Sequence, residues 1–149
     1  MDEKTILLVD DEQAFLEPLE DALLHLRHRV RKATTVTAAL EKLQAERIHL
    51  VTIDIMLPAG GDLDQSVSSQ TAGLHLCQEM RRRFPQIPAI CMSVVTDKET
   101  IRKVRGLGFS FLRKGEVPLR TVLETIEAEL KKADANQKRR GGKGQLRGW

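Results

Sequence analysis

The sequence predicts an α/β protein in which helices cover both faces of a doubly wound parallel sheet. Three observations carry this expectation. Short apolar runs bounded by polar residues recur along the chain, as strands buried on both faces require. Stripes of apolar residues at helical spacing separate them. Strand and helix candidates alternate five times within 149 residues, a length suited to one core.

The first run, Ile6-Leu7-Leu8-Val9, ends in Asp10 and Asp11. Phe15, Leu19, Leu23 and Leu26 then mark a helix over residues 13–26, with local distortion expected at Pro18. The charge-rich stretch from His28 to Thr34 suits a short edge strand. Val36, Ala39, Leu40 and Leu43 mark a second helix, with Thr35 placed to cap it. A strand at residues 50–54 follows and ends in Asp54. Leu74, Cys77, Met80 and Phe84 form a third helical stripe, stopped by Pro85.

Pro88 opens a strand leading to Ser93. Thr96 or Asp97 caps a fourth helix through Ile101 and Val104, ended by Gly106 and Gly108. The strand from Phe109 to Leu112 precedes Lys114. Leu119, Val122, Leu123, Ile126 and Leu130 give the clearest helical stripe, with Pro118 in its first turn.

Charge is distributed unevenly. Residues 131–149 carry seven Lys and Arg against Asp134, a net +6, so a total of +3 leaves the remainder at −3. The reading divides the chain into a folded domain over 1–132 and a basic, Gly-rich tail over 133–149, expected to be disordered. The mildly acidic body has no general affinity for nucleic acid, and the tail offers at most weak electrostatic contact, with Trp149 able to stack. No apolar stretch is long enough for a membrane span, and the polar N-terminus points to a cytoplasmic protein. Cys77 and Cys91 lie in apolar patterns and read as reduced core residues. His25 and His28 read as surface residues.

Parallel pairing of the first and third strands would bring Asp10, Asp11 and Asp54 together at their carboxyl ends, where open α/β sheets bind ligands. Three adjacent carboxylates repel unless a cation lies between them, and oxygen ligands suit a hard ion such as Mg2+. Ser93 and Lys114 close strands at the same edge and supply donors for phosphoryl oxygens. The expected site is therefore an acidic, metal-dependent phosphate site. No Walker loop, dinucleotide fingerprint or His-Glu-x-x-His motif is present.

With these residues in view, the chain resembles the receiver domain of bacterial two-component response regulators, in its single-domain form. The resemblance rests on Leu7-Leu8-Val9-Asp10-Asp11-Glu12, Asp54-Ile55-Met56-Leu57-Pro58, Ser93 and Phe111-Leu112-Arg113-Lys114, and covers residues 4–132. Together with right-handed crossovers it implies a flavodoxin-like (βα)5 fold with strand order 2-1-3-4-5. It implies that Asp54 is the phosphoacceptor and that Asp10, Asp11, Asp54 and the Met56 carbonyl hold Mg2+ or Mn2+. Ser93 and Lys114 would bind the phosphoryl group, and Phe111, with Ser93, matches the aromatic switch. The implied partners are a sensor histidine kinase or phosphotransfer protein and a downstream protein target, with phosphorylation-dependent homodimerisation also in scope.

Three features depart from the family pattern. An extended loop over 58–73 separates Pro58 from Gly73, the glycine that opens the third helix. Gly115 stands where a proline usually follows the lysine, so the Lys114-Gly115 bond is expected to be trans. Val94 follows Ser93 where a small residue is common, narrowing the approach to a phosphoryl group.

The function expected is a phosphoacceptor switch that changes the surface of the fourth helix, fifth strand and fifth helix, without catalysis on an external substrate. The alternative is a receiver-like interaction module that works without phosphorylation. A phosphatase with an aspartyl nucleophile is a third class, but adjacent Asp10-Asp11 does not match its usual Asp-x-Asp.

Overall fold

The computed structural model describes residues 3–57, 72–94 and 97–147. Strands β1 (Thr5–Val9), β2 (Arg29–Ala33), β3 (Leu50–Asp54), β4 (Ala89–Ser93) and β5 (Ser110–Arg113) alternate with helices α1 (Gln13–His25), α2 (Val36–Ala45), α3 (Ala72–Arg83), α4 (Lys98–Gly106) and α5 (Leu119–Arg147). The strands form one sheet in the order β2-β1-β3-β4-β5, the flavodoxin-like order expected, and all four pairings are parallel.

Side-chain alternation along β1 divides the core between the two faces of the sheet. Leu7 and Val9 pack with Val51, Ile53, Ala39, Leu43, Leu76, Cys77 and Met80, beneath α2 and α3. Ile6 and Leu8 pack on the other face with Leu16, Leu19, Leu23, Val122, Ile126 and Leu130 of α1 and α5. β2 lies at the sheet edge and carries charge there: Arg31 pairs with Glu46 at 2.7 Å and Lys32 with Glu20 at 3.1 Å.

Helix boundaries follow local chemistry. The Thr35 hydroxyl accepts the Ala38 N–H at 3.1 Å and caps α2. The Asp97 carboxylate accepts from the Glu99 and Thr100 amides, both at 3.3 Å, and starts α4. Gly108, at φ +86°, follows α4 in the left-handed region that glycine enters at no steric cost. α1 continues through Pro18.

The chain departs from expectation at α5 and at His28. α5 does not stop near residue 132; its backbone stays helical to Arg147. Residues 131–140, Lys-Lys-Ala-Asp-Ala-Asn-Gln-Lys-Arg-Arg, are mostly good helix formers, and helix already begun at Leu119 needs no new nucleus. Lys4 adds a tether, its Nζ lying 3.0 Å from Asp134 Oδ1. His28 is not a surface residue: it is buried, accepting the Lys4 N–H at Nδ1 (3.2 Å) and meeting Glu127 Oε1 at Nε2 (2.9 Å). Most of the long loop expected over 58–73, namely residues 58–71, lies outside the described residues, as does Thr96.

Candidate functional site

The parallel register gathers one set of strand ends. Val9 pairs with Ile53, Asp54 with Met92 and Ser93 with Arg113, so Asp10, Asp54, Ser93 and Lys114 reach the same edge. The Asp10 N–H still bonds Ala33 O at 3.1 Å, which anchors the residue to the sheet. The Asp10 Oδ1 accepts the Glu12 amide at 2.9 Å and shapes the turn into α1. Asp54 repeats this arrangement, with Oδ1 accepting the Met56 amide at 3.1 Å. The Lys114 N–H bonds Ser93 O at 3.1 Å, so sheet pairing carried one residue past β5 sets the start of the lysine side chain.

That side chain crosses the pocket. Its Nζ lies 2.7 Å from Glu12 Oε2, 2.8 Å from Asp10 Oδ2 and 3.3 Å from Asp54 Oδ2. It also sits 4.6 Å from the centroid of the Phe15 ring, within cation–π range. Asp10, Asp54, Ser93 and Lys114 are all buried, whereas Asp11 and Glu12 are exposed at the rim.

Burial shapes the electrostatics of the pair. Loss of water is the largest influence on Asp10 and raises its pKa, helped by the Asp54 charge; hydrogen bonds from Lys114 and the Glu12 amide oppose it without cancelling it. For Lys114, burial alone pulls the pKa down. Hydrogen bonds donated to Asp10 and Glu12 and the charges of Asp54 and Asp10 outweigh it, holding the pKa well above the usual lysine value. The ammonium thus stays charged among carboxylates.

Asp10, Asp11 and Asp54 each offer an oxygen, and these atoms lie within 4.8 Å of one another. An all-oxygen, partly solvent-facing donor set fits a hard divalent cation that retains waters. α3 begins directly against this cluster: the Gly73 N–H bonds Ile55 O at 3.0 Å. A Cβ on Gly73 would overlap the Asp54 carbonyl oxygen and Ile55 Cα. Phe111 is half-buried, packed against the core beneath α2 and α3. Val94 is exposed past Ser93. The Lys114-Gly115 bond is trans, and Gly115 has φ +86°, a conformation closed to proline.

A family model described as the response regulator receiver domain matches residues 6–126. The chain belongs to that family. This receiver domain is 33% identical over 104 residues to the alkaline phosphatase synthesis transcriptional regulatory protein PhoP of Bacillus subtilis, covering 70% of the chain and 38% of the relative. It is 24% identical over 132 residues to the nisin biosynthesis regulatory protein NisR of Lactococcus lactis, covering 89% and 52%. The receiver domain therefore spans about half, or less, of the length of these curated relatives.

A CheY-like receiver from Methanospirillum hungatei superposes with TM-score 0.77 at 24% identity, covering 91% of this chain and 99% of that one. That likeness is one of fold. Receiver domains are regulatory parts of two-component systems, and no helix of the described residues is long and apolar enough to cross a membrane.

Glu12 and Phe15 are the pocket residues to which the sequence pointed least. Both touch Lys114. Glu12 stood beside the aspartates in the acidic motif, which was the available signal. Phe15 belonged to an apolar stripe and carried none.

Proposed function

We propose that this receiver domain is a phosphoacceptor switch acting in the cytoplasm, with Asp54 as the residue modified. One observation carries the reading: three carboxylates within 4.8 Å of one another, with a buried ammonium 3.3 Å from Asp54. An Asp54 carboxylate oxygen attacks the phosphorus of a phosphohistidine on a sensor kinase or phosphotransfer protein. The N–P bond breaks and an acyl phosphate forms. Asp10, Asp11, Asp54 and the Met56 carbonyl would hold Mg2+ or Mn2+, whose charge offsets that of the incoming phosphoryl group.

Lys114 and the Ser93 hydroxyl donate to the new phosphoryl oxygens. Movement of Ser93 toward them opens space for Phe111, which rotates inward from its half-buried position. The surface of α4, β5 and α5 changes as a result and is read by a downstream protein or a second copy of the chain. The switch shifts the balance between two existing states.

A second reading, an interaction module that works without phosphorylation, draws on Gly115, whose φ of +86° departs from the family's lysine-proline step. Incubation with acetyl phosphate and Mg2+ beside Asp54→Asn, read by intact mass, separates the two. A single phosphoryl adduct that needs Mg2+ and Asp54 supports the switch. Absence of the adduct, together with no binding of beryllofluoride, supports the module.

A further inference from the structure

The phosphoacceptor reading leaves one contact in the pocket without a task. Of the three carboxylates around Lys114, Glu12 stands nearest, at 2.7 Å, yet its side chain is 62% exposed against 3% for Asp10. An ammonium has three N–H donors, and here each has a carboxylate within reach. The remaining approach is covered by the Phe15 ring at 4.6 Å. In the metal-free pocket Lys114 therefore has no spare donor for a phosphoryl oxygen, and its partners must let go.

The three partners differ in what release requires. Asp10 and Asp54 are buried and belong to the donor set that would turn to Mg2+, which would draw both off the ammonium, whereas Glu12 is outside that set. Glu12 lies at the rim, immediately before α1, and water can replace the ammonium as it leaves. Its backbone stays fixed meanwhile, because its amide bonds Asp10 Oδ1 at 2.9 Å. The side chain can thus yield without disturbing the turn.

We propose that Glu12 is a positioning residue that retains Lys114 at the pocket rim before phosphorylation and releases it to the phosphoryl group. The inference rests on the reading of Asp54 as phosphoacceptor. Glu12 competes with the phosphoryl oxygens for one N–H of Lys114, so weakening the contact favours the phosphorylated form. Competition of this size, set by a largely exposed ion pair, corresponds to about a two- to five-fold change in affinity.

The test is the Kd for beryllofluoride, a phosphoryl mimic, in saturating Mg2+, measured by calorimetry on the full chain. Glu12→Gln removes the charge. Glu12→Asp keeps it but shortens the side chain by one methylene, out of reach of the 2.7 Å contact. Both variants are expected to bind beryllofluoride about two- to five-fold more tightly, and Glu12→Gln is expected to have no such effect in a Lys114→Gln background.

Unchanged or weaker binding in both single variants overturns the proposal while leaving Asp54 as phosphoacceptor. A Glu12→Gln effect that survives in Lys114→Gln, or is absent from Glu12→Asp, makes Glu12 a field charge on the metal and also overturns it. Wild-type protein that neither binds beryllofluoride nor takes a phosphoryl group overturns the underlying reading itself.

Discussion

His49 accepts the backbone N–H of Thr5 at 3.0 Å through Nδ1, beside the place where His28 accepts the Lys4 N–H in the same way. Both imidazoles tie down the start of β1, at the end of the sheet opposite the acidic pocket. An imidazole nitrogen that accepts a hydrogen bond carries no proton. His28 also meets Glu127 Oε1 through Nε2 at 2.9 Å, so each ring joins the start of β1 through its Nδ1.

Acid should loosen this end first. Burial, then the charges of Lys4 and Arg47, hold the His49 pKa below its ordinary 6.5, with Asp134 opposing them. A depressed histidine pKa means that the unfolded chain takes the proton more readily. The stability it contributes is complete above pH 6.5 and declines as pH falls from there toward the folded value. Urea denaturation at pH 7.5 and 5.5 should show the decline, and His49→Asn, whose amide oxygen can accept the same N–H without titrating, should flatten it.

The pocket trades stability for charge. The fold raises the pKa of Asp10 above 3.8, so keeping it ionised at neutral pH costs stability, a cost that develops as pH rises from 3.8 to the folded value. Asp10→Asn should stabilise the metal-free protein, because the neutral amide removes the cost of the buried charge. The same variant should lose Mg2+ affinity, because the donor set falls from three carboxylates to two. Thermal unfolding in EDTA and in Mg2+ reads both effects: the midpoint should rise in EDTA, and the increment from Mg2+ should shrink.

Gly73→Ala should be costly for its size. The added methyl would meet the Ile55 carbonyl oxygen at 2.7 Å and overlap the Asp54 carbonyl. Backbone on both sides must move, at about 1–3 kcal/mol. At roughly 2–4 °C per kcal/mol for a chain of this length, a calorimetric scan should detect the loss. On the proposed function, phosphorylation of Asp54 should slow as well, because the end of β3 moves with α3.

The outer half of α5 should be dispensable for stability. Ile126 and Leu130 are buried, but no described residue of α5 beyond Leu130 is. Truncation after Asn136 keeps the Lys4–Asp134 pair and should lower helicity by circular dichroism while shifting the midpoint by less than about 2 °C. Truncation before Ile126 should unfold the domain, since it removes side chains packed on Ile6 and Leu8.

What the sequence made legible was periodic or local. The runs ending in Asp10, Asp54 and Ser93 placed three strands and the pocket edge, because parallel strands share a direction. Thr35 and Asp97 cap helices through bonds to residues within three positions, and such signals are visible in the letters. His28 was misjudged because its partners are a backbone amide at Lys4 and a carboxylate 99 residues away. The extent of α5 was not legible because the basic, Gly-rich stretch after residue 132 carries no apolar periodicity, whereas helix continued from Leu119 needs none. The Lys114–Glu12 contact required side-chain geometry across the sheet, which no spacing encodes.

The hydrogen bond from Gly73 to Ile55 has an architectural consequence. The chain leaves the sheet after Asp54 and is fastened to the next residue, Ile55, on its return, so the site is bounded whatever number of residues lies between Leu57 and Ala72. Loop closure cost grows only with the logarithm of length. Leu57 and Ala72 are in that sense two ends of a finished frame, each fixed without reference to what joins them. Lengthening or shortening the connection should therefore leave the bond between Gly73 and Ile55, and the pocket it borders, in place.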